Sequence, residues 1–329
     1  MKKIVTLFLT LACLLGLCSC GHSLVRYSSE DYILELPYKE DFRILQLSDI
    51  HLAAKDNRKL HYDFLNLTIS DSDADLIVLD GDIFTFASRS SAKELFAFID
   101  SYGIPWTVTF GNHDEQCYFS IDWLTEQLNN YGSNCIFVDL QDDDVFGNSN
   151  FVINLVENDS VTEQIILMDS NRYNFGEYVG YDYIKQSQID WYERLVNATA
   201  VQAGKVVPSI LFFHIPLPEF QDAWEAVQSR NPDAVLEYGE RREDSTPPQY
   251  NSGLFDKIIS LGSTNGIFVA HDHLNDYRIL YKGIYLAYGV HSTNRVYYDD
   301  GCLGGHVVIV HHDGSLDFEH IYHSYREVM

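Results

Sequence analysis

Side chains that commonly bind metal ions occur in five short clusters, and each cluster directly follows an apolar run. The clusters are Asp49 with His51; Asp82; Asn112 with His113 and Asp114; His214; and His271 with His273. Asp-x-His and His-x-His spacings put alternate residues on the same side of an extended segment, so each pair can direct two ligands to one site. Carboxylate, imidazole and amide donors together suit divalent transition metals such as Zn, Mn or Fe better than Ca.

The number of donors indicates two metal ions. The candidate ligands are Asp49, His51, Asp82, Asn112, His214, His271 and His273. Seven side chains are more than one such ion needs. Because a carboxylate has two oxygens, Asp82 is a candidate bridge between two divalent ions, and the donor set leaves open whether these are Mn, Fe or Zn.

The apolar runs before these clusters predict buried strands. They cover residues 42–47, 76–79, 106–110, 210–213 and 267–269, with a further run at 165–168. Short continuous apolar runs are typical of strands that are buried on both faces. Ligand sites in α/β sheets form beyond the carboxyl ends of the strands, so side chains distant in sequence can meet there.

Helical patterns alternate with these strands and predict the fold class. They cover residues 93–102, 121–130, 188–200, 220–228 and 254–261. Later strands at 277–280, 284–288, 306–311 and 316–320 suggest a second, more antiparallel sheet. We therefore expect an α/β (α+β) fold, a two-sheet β-sandwich of mixed strands flanked by helices.

The charge balance excludes one class of partner. Lys and Arg number 22 and Asp and Glu number 48, which gives a formal net charge of -26. A protein that holds nucleic acid by its phosphates needs a basic surface, so no scaffold of that kind is expected. An anionic substrate would need a local positive centre, which metal ions would provide.

The N-terminus is typical of an export signal. Residues 1–19 combine Lys2 and Lys3 with an apolar run, which predicts a signal peptide. The ending Leu17-Cys18-Ser19-Cys20 resembles a bacterial lipobox, which implies lipidation of Cys20; an ordinary signal peptide cleaved nearby is the alternative. We expect a tether over residues 20–40, a domain over 41–329, and a monomer exported to the periplasm or cell surface and anchored to the membrane.

Three cysteines remain in the expected mature chain besides the lipidated Cys20. Cys117 and Cys135 are the closest pair in sequence, and Cys302 is left over. An exported protein can form a Cys117–Cys135 disulfide, and free buried thiols are the alternative.

The metal-ligand clusters, in this order, resemble the calcineurin-like metallophosphoesterases. The matching motifs are Ser48-Asp49-Ile50-His51, Gly81-Asp82, Gly111-Asn112-His113-Asp114, His214 and His271-Asp272-His273. Residues 42–49, 214–220, 251–255 and 271–276 are also similar to plant and fungal proteins labelled purple acid phosphatase 29-like. The resemblance covers about residues 41–322 and implies the metallophosphoesterase fold.

The resemblance also implies roles for individual residues. The first metal would take Asp49, His51, Asp82 and His273, and the second Asp82, Asn112, His214 and His271. His113 would stay off the metals and face the leaving group, with Asp114 close by. The sequence departs from true purple phosphatases at Thr85, where they have a tyrosine, at His51, where they have glycine, and at Ala270, where glycine is usual.

The implied function is two-metal hydrolysis of phosphate esters, with phosphomonoesters favoured. A hydroxide bridging the ions would attack, and His113 would act as general acid. The substrate would be a phosphorylated small molecule or a phosphoprotein. A phosphodiesterase or nucleotide hydrolase using the same site, and a catalytically silent surface binding lipoprotein, are the alternatives.

Several further residues are candidates for the walls of the site. His291 follows a predicted strand and can approach the metals. The aromatic segment 173–183 can wall a substrate pocket or pack against the sheet edge, and the polar loop 231–251 can form a lid or wall or simply cover the surface. Four arginines can clasp a phosphate or serve as surface salt-bridge partners: Arg172, Arg241, Arg242 and Arg295.

Overall fold

The computed structural model describes residues 26–28, 33–132, 134–139, 144–176 and 178–329. The predicted signal peptide, residues 1–19, and the predicted lipidation site, Cys20, lie outside the described residues. In the described ranges, no helix is both long enough and apolar enough to cross a membrane.

Strands and helices alternate along the described chain. The strands are β1 (Arg26–Ser28), β2 (Ile33–Pro37), β3 (Phe42–Leu47), β4 (Leu76–Asp80), β5 (Trp106–Thr109), β6 (Phe151–Glu157), β7 (Ser160–Leu167), β8 (Tyr173–Asn174), β9 (Gly180–Tyr181), β10 (Ser209–Phe212), β11 (Ala234–Tyr238), β12 (Thr264–Val269), β13 (Arg278–Tyr281), β14 (Ile284–Tyr288), β15 (Gly304–Val310) and β16 (Leu316–Tyr322). The helices are α1 (Arg58–Ser72), α2 (Arg89–Asp100), α3 (Ile121–Asn129), α4 (Gln186–Ala203), α5 (Glu219–Gln228) and α6 (Leu254–Leu261), followed by a 3-10 turn at Tyr325–Glu327.

Two mixed sheets pack face to face, which confirms the predicted sandwich. The nine-stranded sheet has the order β1-β2-β6-β7-β10-β12-β14-β13-β11, and the five-stranded sheet has the order β16-β15-β3-β4-β5. Ile44 and Val78 of the smaller sheet share one buried cluster with Phe212 and Phe268 of the larger sheet. Burial of this apolar area between the sheets is the main force that holds them together.

Helices cover the outer faces of the sandwich. On the smaller sheet, α1 packs against β3, β15 and β16. On the larger sheet, α4 and α6 pack against β7 and β12, and α5 packs against β11 and β13. The central strands are therefore buried on both faces, which explains why they appear in the sequence as continuous apolar runs.

The predicted grouping of the last four strands was wrong. They do not form a sheet of their own, because β13 and β14 extend the larger sheet while β15 and β16 extend the smaller one. β14 runs parallel to β12, and β15 runs antiparallel to β3. Each hairpin thereby continues the hydrogen-bond ladder of an existing sheet, whereas an isolated two-stranded hairpin is only marginally stable.

Two predicted boundaries also need correction. The expected tether, residues 20–40, overlaps β2, which pairs parallel with β6 and buries Leu34 and Leu36. The expected loop 231–251 contains β11, an edge strand that pairs with β13. β11 is a short, largely apolar run, Ala-Val-Leu-Glu-Tyr, within a polar segment, and since its side chains are mostly exposed its stability comes from the backbone ladder.

The three described cysteines are free thiols. Cys302 is buried, while Cys117 and Cys135 are half-buried, and none of them is in a disulfide. Burial raises the pKa of the Cys117 and Cys302 thiols to about 12. Of the two alternatives, a Cys117–Cys135 disulfide or free thiols, the structure has the free thiols, and their raised pKa makes them unreactive.

Candidate metal centre

Loops at the carboxyl ends of parallel strands from both sheets meet at one edge of the sandwich. β3, β4 and β5 run parallel in the smaller sheet, and β10, β12 and β14 run parallel in the larger one. Hydrogen bonds join loops from the two sheets: Ser48 N–H donates to Ser292 Oγ at 2.9 Å, and Ser292 N–H donates to Ser48 O at 3.0 Å. All five predicted ligand clusters lie at this edge.

The backbone at the ligands is strained. Asp49, His51, Asp82 and His271 have φ values of 53°, 49°, 47° and 78°, in the left-handed region that non-glycine residues rarely adopt. Such conformations cost about 1–3 kcal/mol each and persist where the surroundings enforce them, most often at functional sites. Four strained residues among seven predicted ligands indicate that these loops are built to aim side chains.

Two motif glycines leave room for the ligands. A Cβ on Gly81 would lie 2.4 Å from the His214 ring, and one on Gly111 would lie 2.3 Å from Asp82 Oδ1. Gly81 also has a φ of 77°. The glycines in Gly-Asp and Gly-Asn-His-Asp are therefore required by close packing around Asp82 and His214.

The first group of predicted ligands converges closely. His273 Nε2 lies 3.3 Å from Asp49 Oδ1 and 3.1 Å from His51 Nε2. His51 Nε2 is 3.8 Å from Asp49 Oδ1 and 3.8 Å from Asp82 Oδ2. Donor atoms bound to one transition metal at about 2.0–2.2 Å are spaced in this way.

The second group shares Asp82 with the first. His214 Nε2 lies 3.2 Å from Asp82 Oδ2, and donor atoms of Asp82, His214 and His271 all lie within 4.8 Å of one another. Asp82 Oδ1 instead accepts a hydrogen bond from the His113 N–H at 2.7 Å. A single oxygen, Oδ2, therefore faces both groups, which suits Asp82 as the bridge.

Hydrogen bonds on the outer side of the rings fix which nitrogen faces inward. His214 Nδ1 lies 2.9 Å from Asp80 O, and His273 Nδ1 lies 2.8 Å from Tyr297 O. Because a backbone carbonyl only accepts, Nδ1 carries a proton in both rings and the inward Nε2 can offer a lone pair. This is the arrangement by which proteins orient histidine ligands.

Several buried polar atoms of the predicted ligands lack a hydrogen-bond partner in the described part of the chain, which shows whether these residues fit metal ions. Asp49 Oδ1, Asn112 Oδ1, His214 Nε2 and His271 Nε2 make no hydrogen bond of good geometry among the described residues, and the close neighbours of Asp49 Oδ1 and His214 Nε2 are themselves predicted ligands, His273 and Asp82. A buried polar atom without a partner costs about 1–3 kcal/mol. All four atoms are good donors to a divalent cation, so the residues present fit two ions.

The charges at the site support the same conclusion. Burial raises the pKa of a carboxylate, but at Asp49 the neighbours His273 and His214 outweigh this, and the pKa lies well below its usual value. Burial lowers the pKa of His51 to about 4 and that of His271 to about 3. At His214 burial is opposed and outweighed by Asp82, so its pKa rises to about 10, and the proton that it holds at Nε2 without a metal would be displaced when an ion binds there. The ionised carboxylates would therefore be stabilised by a cation at the place where metals would bind. The rings of His51 and His271 are neutral, which is the form that coordinates a metal.

His113 lies beside the predicted ligands and is more accessible than they are. Its side chain is 30% exposed, and its Nε2 lies 4.0 Å from Asp82 Oδ2. Its Nδ1 is 2.8 Å from Gln116 Oε1. Asp114 is fully buried, and its two oxygens accept hydrogen bonds from the Phe84 and Gly111 N–H groups. In this structure the ring of His113 is therefore held by Gln116, while Asp114 holds the turn that carries it.

Comparison with known proteins identifies the family of this chain. The model of the Calcineurin-like phosphoesterase family matches residues 42–275. The chain belongs to this family. This confirms the resemblance that the sequence motifs indicated. The matched region holds all seven predicted metal ligands and His113.

The relatives differ in how their names describe activity. The chain is 31% identical to a protein named "Probable inactive purple acid phosphatase 29" from Arabidopsis thaliana, over 86% of this chain and 79% of the relative. It is 27% identical to one named "Phosphatase DCR2" from Saccharomyces cerevisiae, over 72% of this chain and 44% of the relative. A crystal structure of a dimetal phosphatase from Danio rerio matches 82% of this chain and 96% of its own, with a TM-score of 0.51 and 14% identity, which supports the fold.

Two residues where the chain departs from the family pattern are well accommodated. Thr85, which replaces the tyrosine of true purple phosphatases, has its Oγ1 2.7 Å from His51 Nδ1 and so orients that ring. Ala270 is buried, and its N–H donates to His214 O at 3.0 Å. Its backbone is outside the left-handed region, so the extra methyl group is tolerated.

The described part of the aromatic segment 173–183 forms one wall of the site. The hydroxyl of Tyr173 accepts a hydrogen bond from Asn112 Nδ2 at 2.9 Å, which fixes the amide while its Oδ1 has no hydrogen-bond partner among the described residues. The rings of Tyr181 and His271 meet edge to face at 4.4 Å. The sequence predicted a wall here, but not that Tyr173 positions an amide ligand.

The loop 239–251 lies against the other side of the site. Thr246 donates to Asp272 Oδ1 at 2.6 Å, and Glu243 Oε1 accepts from the Leu274 N–H at 2.7 Å. These bonds attach the loop to the segment that carries His271 and His273. It is therefore a fixed wall in this structure.

The four candidate arginines are spread over different places. Arg172 lines a cavity of about 490 Å³ beside Tyr173, together with Glu115, Asp122, Asp169 and Asp182. Arg241 pairs with Asp244 at 2.7 Å, Arg242 with Asp276 at 2.8 Å, and Arg295 with Asp56 at 3.2 Å. The cavity beside Tyr173 is a candidate place for the organic part of a substrate.

Exchange of Tyr173 for phenylalanine tests its positioning role. Without the hydroxyl, the amide of Asn112 is free to rotate, and we expect the affinity for the second metal or the activity to fall about 10- to 100-fold. Metal content measured against a series of chelator concentrations checks this. Tyr178→Phe, a change in the same aromatic segment, is the matched control and should retain both metals. If Tyr173→Phe bound metal as wild type does, the positioning role would be wrong.

Proposed function

We propose that this protein hydrolyses phosphate esters, and phosphomonoesters in preference, with two divalent metal ions. The observation that carries the proposal is the complete donor set: unpartnered buried atoms of two ligand groups converge and share Asp82 Oδ2. The first ion would be held by Asp49, His51, Asp82 and His273. The second would be held by Asp82, Asn112, His214 and His271.

The charge of the bound centre favours an anionic substrate. Two divalent ions bring four positive charges, of which Asp49 and Asp82 balance two. Ions bound there would act as Lewis acids on the phosphoryl oxygens and activate water as the nucleophile. A phosphate would therefore be attracted locally, in spite of the chain's net charge of -26.

We propose His113 as the catalytic general acid. It is a partly exposed imidazole beside the ligand groups. Its Nδ1 contacts Gln116, and its Nε2 lies 4.0 Å from the Asp82 carboxylate, beyond hydrogen-bond distance. A proton held at Nε2 can pass to the oxygen of the leaving alcohol. Gln116 orients the ring through Nδ1, and Asp114, predicted as a second catalytic residue, supports the turn as a positioning residue.

Some relatives are named as inactive and one is named as a phosphatase, so a direct measurement of activity is the decisive test. Three Arabidopsis relatives are named probable inactive purple acid phosphatases. A catalytically silent binding protein would be expected to have lost part of the machinery, whereas this chain retains every donor and His113. Hydrolysis of nitrophenyl phosphate by metal-loaded wild type would support the enzyme. Absence of hydrolysis with two metals bound would contradict it.

The surroundings favour a monoester. The segments 173–183 and 239–251 stand on two sides of the ligands, which limits the room for a second organic group. The lining of the cavity beside Tyr173 includes four carboxylates and one arginine, so it suits an uncharged or cationic alcohol better than a second phosphate.

The ester preference is measurable with one leaving group. We expect a higher kcat/KM for p-nitrophenyl phosphate than for bis-p-nitrophenyl phosphate, because the diester brings an additional aryl group that the walls must admit. The same metal is loaded for both assays. A tenfold or greater preference for the diester would overturn the monoester assignment and favour the phosphodiesterase alternative.

We also propose export and membrane anchoring through Cys20. The support is the sequence Leu17-Cys18-Ser19-Cys20 after an apolar signal. We expect Cys20→Ser to leave the membrane fraction or to remain unprocessed, since an acylated cysteine supplies the anchor. Fractionation and intact mass measure this, with Cys18→Ser as the matched control. Unchanged mass and membrane association of Cys20→Ser would contradict the lipidation.

A further inference from the structure

A histidine outside the assigned ligand set is buried at the centre. His291 follows β14, forms a bridge with Ser48 and is 1% exposed. Its ring centroid lies 4.1 Å from that of His273 and 6.2 Å from that of His51. Donor nitrogens of the three histidines lie within 4.8 Å of one another.

Both ring nitrogens of His291 lack a hydrogen-bond partner among the described residues. Each unpartnered nitrogen costs about 1–3 kcal/mol when it is buried. The other imidazoles of the centre differ, because His51, His214 and His273 each have one nitrogen in a polar contact away from the ligands. A buried imidazole with two unpartnered nitrogens beside two predicted ligands would be stabilised by a metal ion bound to one of those nitrogens.

We infer that His291 is a further ligand of the ion held by Asp49, His51 and His273. The inference rests on the proposed two-metal centre. With His291 this position has three imidazoles, whereas the position of Asn112, His214 and His271 has two. Imidazole suits Zn and Fe, while carboxylate and water suit Mn and Mg. The additional nitrogen therefore makes the first position selective for a metal such as Zn or Fe.

The backbone around His291 supports a ligand role. The Gly304 N–H donates to His291 O at 2.9 Å, and the bridges to Ser48 and Leu303 hold the residue between two segments. Ser48 directly precedes Asp49. The His291 ring is thus fixed relative to the first ligand group by the same loops that position that group.

The test is cobalt binding to the metal-stripped full chain, followed by visible absorption of bound Co(II). Wild type should bind two equivalents. His291→Gln should weaken one of the two sites about 10- to 100-fold and change its spectrum, because a nitrogen ligand is lost. His61→Gln is the matched control, since His61 is a buried histidine that contacts Tyr325. It should match wild type in stoichiometry, affinity and spectrum.

Competition between Zn and Mn measures the selectivity. In His291→Gln the preference of the weakened site for Zn over Mn should fall about tenfold or more. Unchanged cobalt affinity and spectrum in His291→Gln would overturn the inference. If only the affinity for orthophosphate fell in the cobalt-loaded variant, His291 would be a phosphate contact and the ligand assignment would be wrong.

Two further measurements keep the outcomes separate. If His291→Gln does not fold, a crystal structure of zinc-loaded wild type decides: a His291 nitrogen at about 2.0–2.1 Å from the ion supports the inference, and an intervening water overturns it. Hydrolysis of nitrophenyl phosphate by the same wild-type sample tests the proposed function. If the protein binds two cobalt ions but does not hydrolyse the ester, the proposed function is contradicted. The role of His291 as a ligand is then decided separately by the cobalt titration of wild type and His291→Gln.

Discussion

Replacing Asp82 with asparagine is expected to remove both metal ions and nearly all activity. Asp82 Oδ2 lies 3.8 Å from His51 Nε2 and 3.2 Å from His214 Nε2, so it belongs to both ligand groups. Asparagine keeps the size of the side chain and an oxygen that can accept from the His113 N–H, but it removes the negative charge. Since metal-ion catalysis supplies several kcal/mol of transition-state stabilisation, we expect a fall in kcat/KM of about 10³-fold or more.

The matched control for this change is Asp80→Asn, at the end of the same strand. Asp80 is equally buried, but its oxygens accept from Gln46 Nε2 at 2.5 Å and Thr109 Oγ1 at 2.7 Å instead of facing the ligands. We expect Asp80→Asn to retain two metals, with its cost appearing in thermal stability. Elemental analysis after gel filtration measures both variants. Two equivalents of metal in Asp82→Asn would show that the bridging assignment is wrong.

The ligand clusters and their strands were predictable because each is encoded locally. An apolar run followed by a polar ligand describes a strand that is buried on both faces and ends at the site, as at β3 before Asp49 and β10 before His214. The predicted limits of β3, β14 and α6 agree with the structure. In these elements burial, strand length and turn residues all point to the same structure.

Elements whose buried face is partly polar escaped the pattern. Helix α1 was not predicted, although it buries His61, Phe64, Leu65, Thr68, Ile69 and Ser72 at helical spacing. Half of that face is polar, so its apolar periodicity is weak. The larger sheet's β11 is hidden for the opposite reason, since most of its side chains are exposed.

The pairing of the late strands and the contacts across the site depend on tertiary structure. Nothing local to β15 says that it pairs with β3 instead of β14. Tyr173 lies 61 residues from Asn112 in sequence, and the hydrogen bond between them depends on where the aromatic segment folds back. His291 likewise belongs to no motif; its place after a predicted strand suggested an approach to the site, but its burial and unpartnered nitrogens are visible only in the structure.

Replacing His113 with asparagine is expected to have the second-largest effect and a different signature. His113 is 30% exposed and lies beside the ligand groups, so the change should remove an acid while both metals stay bound. General acid catalysis contributes about 10²- to 10⁴-fold, and we expect kcat to fall by that factor for alkyl phosphates. For nitrophenyl phosphate the loss should be much smaller, because nitrophenolate leaves without a proton.

The ratio of these two losses separates a catalytic His113 from a structural one. A variant that merely disturbed the Gly111–Asp114 turn would displace Asp82, whose Oδ1 accepts from the His113 N–H, and would slow both ester classes through loss of metal. Gln116→Leu is a useful companion, since it leaves the imidazole but removes its partner at Nδ1. It should reproduce the same leaving-group dependence with a smaller loss. Equal losses for alkyl and aryl esters in His113→Asn, with two metals bound, would contradict the general acid and leave His113 a role in binding the phosphate.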